Sequence, residues 1–348
     1  MSRQFPALRG AAILLVVLNH AIVLSLDSVR TGGFATPPSF ERLILVALKS
    51  LGPIAVPVFL FLSGGFLAYA LRDKPIGPAY RAVALGLRHI LVPYVLWSLV
   101  FYALIFVLNR DVYTPVEYAK YLLVGYPFNF VPILIAFYAI SPILVRWIGA
   151  RPWPTLLAIG AYQIFSIAAL QPDMLGVTFP AWTTYLTIPG LRLTVAIWAI
   201  FFPLGMAFGL HAEGFRQAVE RWRWPLLAGT LALYLLVVAD EAGALVAPQA
   251  VLALPLLAVL LVPVVRREAI PFVRSFEYIG RRAFGLYLTN LIFLNLVLVA
   301  VQAFVPGLLQ AVLVLVPLGL ALTVGALVAM AAALERWPGP AAQRYVFG

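Results

Sequence analysis

Ten stretches of this chain are almost wholly apolar over the length a bilayer requires, and the polar positions collect between them. A membrane helix needs about 20 mostly apolar residues, and the pattern predicts spans at 8–26, 53–71, 85–108, 129–149, 153–170, 194–210, 225–240, 245–265, 283–304 and 311–334. The fifth to seventh are short and partly broken by Pro203 and Pro225. Between the first two spans, segment 39–52 carries Glu41, Arg42 and Lys49 among apolar residues, which suits an amphipathic helix lying at the interface. The run from Gly10 to Leu26 is interrupted by Asn19 and His20, is followed by Asp27 and Ser28, and has no small-residue cleavage pattern, so it reads as a retained first span.

Composition sharpens this picture. The 348 residues are 64% hydrophobic and 11% charged, against roughly 45–50% and about 25% in soluble domains, which excludes a soluble fold. The expected architecture is therefore all-α: a polytopic integral membrane protein of about ten transmembrane helices forming one membrane-embedded domain over 1–348, with no separate soluble domain. The absence of cysteine excludes a disulfide framework, a thiolate nucleophile and thiolate metal sites. Three histidines, His20, His89 and His211, give no basis for a histidine-rich metal site.

A net charge of +11 would suggest nucleic acid in a soluble protein, but in a membrane protein it records topology. Eighteen of the 24 basic residues fall in alternate connections: the N-terminus with Arg3 and Arg9, the loop from Arg72 to Arg88, the turn at Arg146 and Arg151, loops 211–224 and 266–282, and the tail with Arg336 and Arg344. The positive-inside rule then places both termini in the cytoplasm, and no nucleic-acid partner is implied.

Some polar residues sit where lipid should be. Arg9 and His20 are 11 residues apart, three helical turns plus about 20°, so they share one face, separated by about 16 Å. Intramembrane ionisable groups are costly and mark pathways or active sites. The guanidinium fork of Arg9 suits an anionic ligand, and a neutral imidazole suits proton abstraction from a hydroxyl. Asp27 lies about 10 Å beyond His20 along the helix, too far to orient it, and reads as an end-of-helix charge. Pro53 and Pro57 should kink the second span, in which Ser63, Gly64 and Gly65 allow close approach of a backbone or ligand. Tyr126, Phe128 and Asn129 suggest an outer aromatic belt. Thr289, Asn290 and Asn295 need hydrogen-bond partners within the ninth span, where Tyr287 and Asn290 share a face. Asp240 and Glu241 read as solvated loop charges.

In order along the chain, FPALRGAAILLVVLNH, with its Arg-x10-His pattern and Gly10 after Arg9, then FLFLSGGFLAY, RHILVPYVLW, FVPILIAFYAISPIL, FFPLGMAFG and YIGRRAFGLYLTN resemble the acyltransferase 3 family of membrane acyltransferases. The resemblance covers almost the whole chain. It implies an O-acetyltransferase-like enzyme that takes an acyl group, commonly acetyl, from cytoplasmic acyl-CoA to a hydroxyl of a cell-envelope glycan or lipid-linked sugar, from a bacterial inner membrane. It further implies His20 as catalytic base, Arg9 as a catalytic and donor-binding residue, and Arg88, at the start of the third span, as a donor-side element. Arg72 joins Arg9 and Arg88 as an expected phosphate ligand; Ser63, Tyr287 and Asn290 are expected to touch substrate. No resident cofactor or metal is implied beyond acyl-CoA as donor. Two departures stand out: Leu85 where the family often has a second arginine, and Asn290 where it often has a histidine, which leaves His20 as the expected lone intramembrane histidine. A multi-spanning transporter or exporter is the alternative, because broken helices and mid-bilayer polar groups also suit carriers. The second half of the chain, however, does not echo Arg9, His20 or the Ser-Gly-Gly segment.

Overall fold

The computed structural model describes residues 4–35, 37–336 and 346. Arg3 and Arg344, counted above among the inner charges, lie outside them. Among the described residues the regular structure is wholly helical. The helices are α1 (Phe5–Thr31), α2 (Ser39–Lys49), α3 (Gly52–Leu71), α4 (Ile76–Asn109), α5 (Pro115–Val124), α6 (Phe130–Ala150), α7 (Pro152–Leu170), α8 (Pro172–Leu175), α9 (Arg192–Trp198), α10 (Phe201–Leu210), α11 (Ala212–Arg221), α12 (Arg223–Glu241), α13 (Pro248–Leu261), α14 (Val273–Gly280), α15 (Ala283–Phe304) and α16 (Val312–Arg336).

Each of the ten apolar stretches falls on helix, but not each is a full crossing. Eight helices are long and apolar enough to cross a membrane, and a ninth candidate is the α9–α10 pair, bent by 46° at the break. The segment expected at 245–265 is the shorter helix Pro248–Val264. At about 1.5 Å per residue such a helix covers less than the roughly 30 Å hydrocarbon thickness. Pro57 and Pro93 are accommodated inside the continuous helices α3 and α4. The amphipathic segment forms α2, which exposes Phe40 and Leu43 while burying Leu45.

The packing has a centre and a rim. Over their most apolar windows α6 and α15 are 56% buried but α12 only 6%, so α12 is a lipid-facing outer helix and the first two are inner ones. The central α1 packs against α3, α14, α15 and α16. Helix α5 starts with a capping box: the Thr114 hydroxyl accepts from the Glu117 N–H, and the Glu117 carboxylate accepts from the Thr114 N–H at 2.7 Å. These bonds hold the exposed Glu117 carboxyl below its ordinary pKa. The Tyr102 hydroxyl donates to the Tyr126 carbonyl at 2.8 Å, fastening the following loop to α4.

Two interfacial expectations are corrected here. Phe128 is no belt residue but is fully buried, its ring 6.2 Å from Phe101 and 5.9 Å from Tyr287, because the loop 125–129 folds inward over α4 and α15. The acidic pair lies at the end of α12 and not in a loop, and it is partnered: Lys49 donates to Glu241 at 2.6 Å, joining α2 to α12, and Asp240 accepts from the Ala247 N–H at 3.0 Å.

Glycines set the two closest crossings. On Gly64 a Cβ would overlap the Phe202 carbonyl, on Gly205 that of Phe61, and on Gly209 that of Gly65, so α3 and α10 meet backbone to backbone. Likewise a Cβ on Gly10 would overlap the Phe276 carbonyl and one on Gly280 that of Pro6, which presses α14 onto the start of α1. Gly205→Ala and Gly280→Ala are therefore expected to cost about 1–3 kcal/mol through overpacking, despite alanine's better helix propensity. Gly77→Ala, with nothing within 4 Å of the added methyl, is the control. Thermal midpoints of the purified variants in detergent check this; equal midpoints for all three would refute it.

Candidate active site

The crossing at Gly10 and Gly280 has a consequence for the neighbouring Arg9. It brings the start of α15 beside α1, so that the two helices run side by side from the same end of the bundle. Arg9 enters a cavity of about 240 Å³ walled by α1, α3, α4, α6 and α15. Most of the wall is apolar, from Phe59, Ile90, Phe130 and Leu134 among others, while Arg9, Ser63, His89, Tyr138, Arg281 and Tyr287 supply the polar groups. An apolar cavity with a few convergent polar groups is the usual form of a ligand site. The Arg9 guanidinium lies 4.7 Å from the centroid of the Phe66 ring. Its Nε is buried without a hydrogen-bond partner among the described residues. A buried donor left unpaired costs about 1–3 kcal/mol, and a bound acceptor group would remove that cost.

His20 lies just over three turns further along α1. Its Nδ1 is 2.8 Å from the Oδ1 of Asn290, a fully buried residue of α15. The Asn290 Nδ2 donates to the Tyr287 carbonyl at 2.5 Å and to the Leu286 carbonyl at 3.3 Å. With the amide nitrogen committed to two carbonyls, its oxygen faces His20. The reverse orientation would set that oxygen against both carbonyls. Nδ1 must then be the protonated nitrogen, and the neutral ring carries its lone pair on Nε2. Asn290, expected to touch substrate, thus holds the His20 ring by a hydrogen bond.

The cavity and the histidine are linked through α15. Tyr287 lines the cavity and is held edge-on by Phe130, 4.3 Å between ring centroids, and Asn290 follows one turn later. The structure therefore brings Arg9, Ser63 and Tyr287 to one cavity and places His20 with Asn290 just beyond it; His20 itself is not among the cavity's lining residues. Arg72 and Arg88 are not there. Arg72 is exposed at the α3–α4 turn, 3.5 Å from the Leu210 carbonyl. Arg88 is exposed on α4, because the helix turns the next residue, His89, to the cavity instead. His20 is consequently not the lone histidine within a span. Asp27 pairs with Arg30 at 3.1 Å on the surface, as an end-of-helix charge.

Sequence reasoning missed His89, Tyr138 and Arg281. His89 directly follows Arg88 in RHILVP, and Tyr138 sits beside Phe137 in the apolar IAFYAI, where two adjacent aromatic residues give no sign of which one faces a cavity. Gly205 and Gly209, which decide how close α10 comes to α3, do carry a visible signal in their small-xxx-small spacing. Among the described residues no group of three or more His, Asp or Glu could hold a metal ion.

A family model described as an acyltransferase domain, Acyl_transf_3, matches residues 4–332. No curated protein and no solved structure matches the chain.

Proposed function

This chain belongs to the Acyl_transf_3 family of membrane acyltransferases, and from that premise we propose that it moves an acyl group, acetyl in the first instance, from acyl-CoA on the cytoplasmic side to a hydroxyl of a cell-envelope glycan or lipid-linked sugar, with His20 as the base. The observation that carries this reading is the His20–Asn290 pair, which leaves a basic imidazole nitrogen inside a bundle of apolar helices. The donor's arm occupies the Arg9 cavity, where Arg9, Ser63 and Tyr138 offer hydrogen-bond donors to its carbonyl oxygens. The acceptor hydroxyl gives its proton to His20 Nε2 while its oxygen bonds to the thioester carbon. Collapse of the tetrahedral intermediate breaks the carbon–sulfur bond, and the departing thiolate takes the proton back from the imidazolium. The acyl group ends on the acceptor oxygen and free CoA is released.

The test is transfer of label from radiolabelled acetyl-CoA to envelope glycan or lipid-linked sugar by the protein reconstituted in liposomes. Label on the acceptor supports the enzyme; movement of acceptor across the membrane without label would support a carrier instead. In the same assay Arg9→Lys keeps the charge but loses the planar fork, and it is expected to raise the KM for acetyl-CoA about tenfold. An unchanged KM would remove Arg9 from donor binding.

A further inference from the structure

A second cavity lies along three of the helices that wall the first. It measures about 260 Å³ and lies where the α3–α4 turn meets α6, lined by Arg72, Asp73, Lys74 and Pro75 on one side and Pro142 and Arg146 on the other. Three cations thus converge on one concave site with a single carboxylate. Among the described residues the ion pairs form elsewhere, and Lys74 and Arg146 have no acidic partner. Topology alone accounts for basic residues at this end of the bundle, but it is satisfied equally by side chains such as Arg81 and Arg151 that line neither cavity, and it does not require them to converge on one site.

The two cavities draw on the same three helices. On α3, Ser63 lines the first and Leu71 the second; on α4 the corresponding residues are Gly86 and Ala79, and on α6 Tyr138 and Val145. Seven to eight residues of helix separate each pair, so the cavities stand about 10–12 Å apart along one three-helix groove. A ligand filling both needs an anionic head and an uncharged arm of at least that length that runs past Arg9 towards His20. Phosphate esters are the groups that clustered Arg and Lys side chains recognise.

We infer that Arg72, Lys74 and Arg146 bind the nucleotide phosphates of acyl-CoA, with the pantetheine arm lying in the α3–α4–α6 groove. The inference rests on the acyl-CoA reading above and assigns the phosphates to Lys74 and Arg146, in place of Arg88, which lines neither cavity.

The experiment uses the full-length protein in nanodiscs of neutral lipid, with acetyl-CoA, acetyl-dephospho-CoA lacking the 3′-phosphate, and acetyl-pantetheine as donors. Lys74→Gln and Arg146→Gln are each expected to raise the KM for acetyl-CoA about tenfold, the loss of one hydrogen bond to a charged group, and to leave turnover of acetyl-pantetheine unchanged. The wild type is expected to prefer the donors in the order acetyl-CoA, dephospho form, pantetheine. Equal use of all three by the wild type, or an equal loss on acetyl-CoA and acetyl-pantetheine in the variants, overturns the inference and leaves acyl transfer standing. A variant effect seen only when anionic lipid is added assigns the cavity to a lipid headgroup and also overturns it. No turnover of any thioester by the wild type would instead sink the acyl-CoA reading, and the inference with it.

Discussion

Replacing His20 by glutamine is expected to lower the turnover number about 10²–10⁴-fold, the usual contribution of a positioned general base, with little change in the KM for donor. Glutamine is the informative substitute because its side-chain amide can still donate to the Asn290 oxygen. Alanine would leave that buried acceptor unpaired, at a cost of about 1–3 kcal/mol, and would mix a folding defect into the rate. The measurement is transfer kinetics in proteoliposomes beside the thermal midpoint of the same preparation. A His20→Gln protein that transfers at the wild-type rate would take the histidine out of the reaction.

Asn290→Ala is expected to reduce turnover about 10–100-fold, the range seen when the group orienting a functional histidine is removed. The reason is the hydrogen-bond arrangement described above: among the described residues Asn290 is the group that tells the ring which nitrogen to protonate, and without it His20 samples both tautomers and more than one rotation. Asn290→Asp keeps an acceptor oxygen facing Nδ1 but loses the bonds from Nδ2 to the Leu286 and Tyr287 carbonyls, so its turnover should fall between alanine and wild type. A purely structural role would lower the thermal midpoint and leave kcat per folded molecule untouched, so the split between midpoint and kcat decides the matter. Unchanged kcat in Asn290→Ala would end the positioning role.

The residue at 290 also shows how far sequence could go. The resemblance to the acyltransferase 3 family marks the position as one where a histidine often stands, and the apolar surroundings of Asn290 demand a hydrogen-bond partner. Neither says that the partner is 270 residues away on α1. Within α1 the only titratable group on the His20 face beyond it was Asp27, and helix rise alone excluded it. The orienting group had to come from another helix.

Other positions needed the tertiary structure for the same reason. Arg88 and His89 are adjacent, and both are polar in an apolar helix, but they project about 100° apart, and only packing against α6 and α15 decides that His89 faces the cavity. Phe128 follows a tyrosine and a proline at a predicted membrane edge, and nothing local distinguishes a belt residue from one tucked beneath a loop. Gly64 was legible as a site of close approach, but whether a ligand or a backbone approaches is settled by Gly205 and Gly209 on α10.

By itself the sequence determined that the chain is helical and membrane-spanning, where its apolar stretches run and that Arg9 and His20 share a face, because a bilayer forces backbone hydrogen bonds inside each segment and the helix repeat then fixes every side chain's direction. Only the tertiary structure decided which of those faces meet: that Arg9 opens on a cavity with Ser63 and Tyr287, that His20 is oriented by Asn290, and that Arg72, Lys74 and Arg146 converge on one site. Those contacts join helices far apart in the chain, and they depend on where glycines let backbones touch, which no period along a single helix encodes.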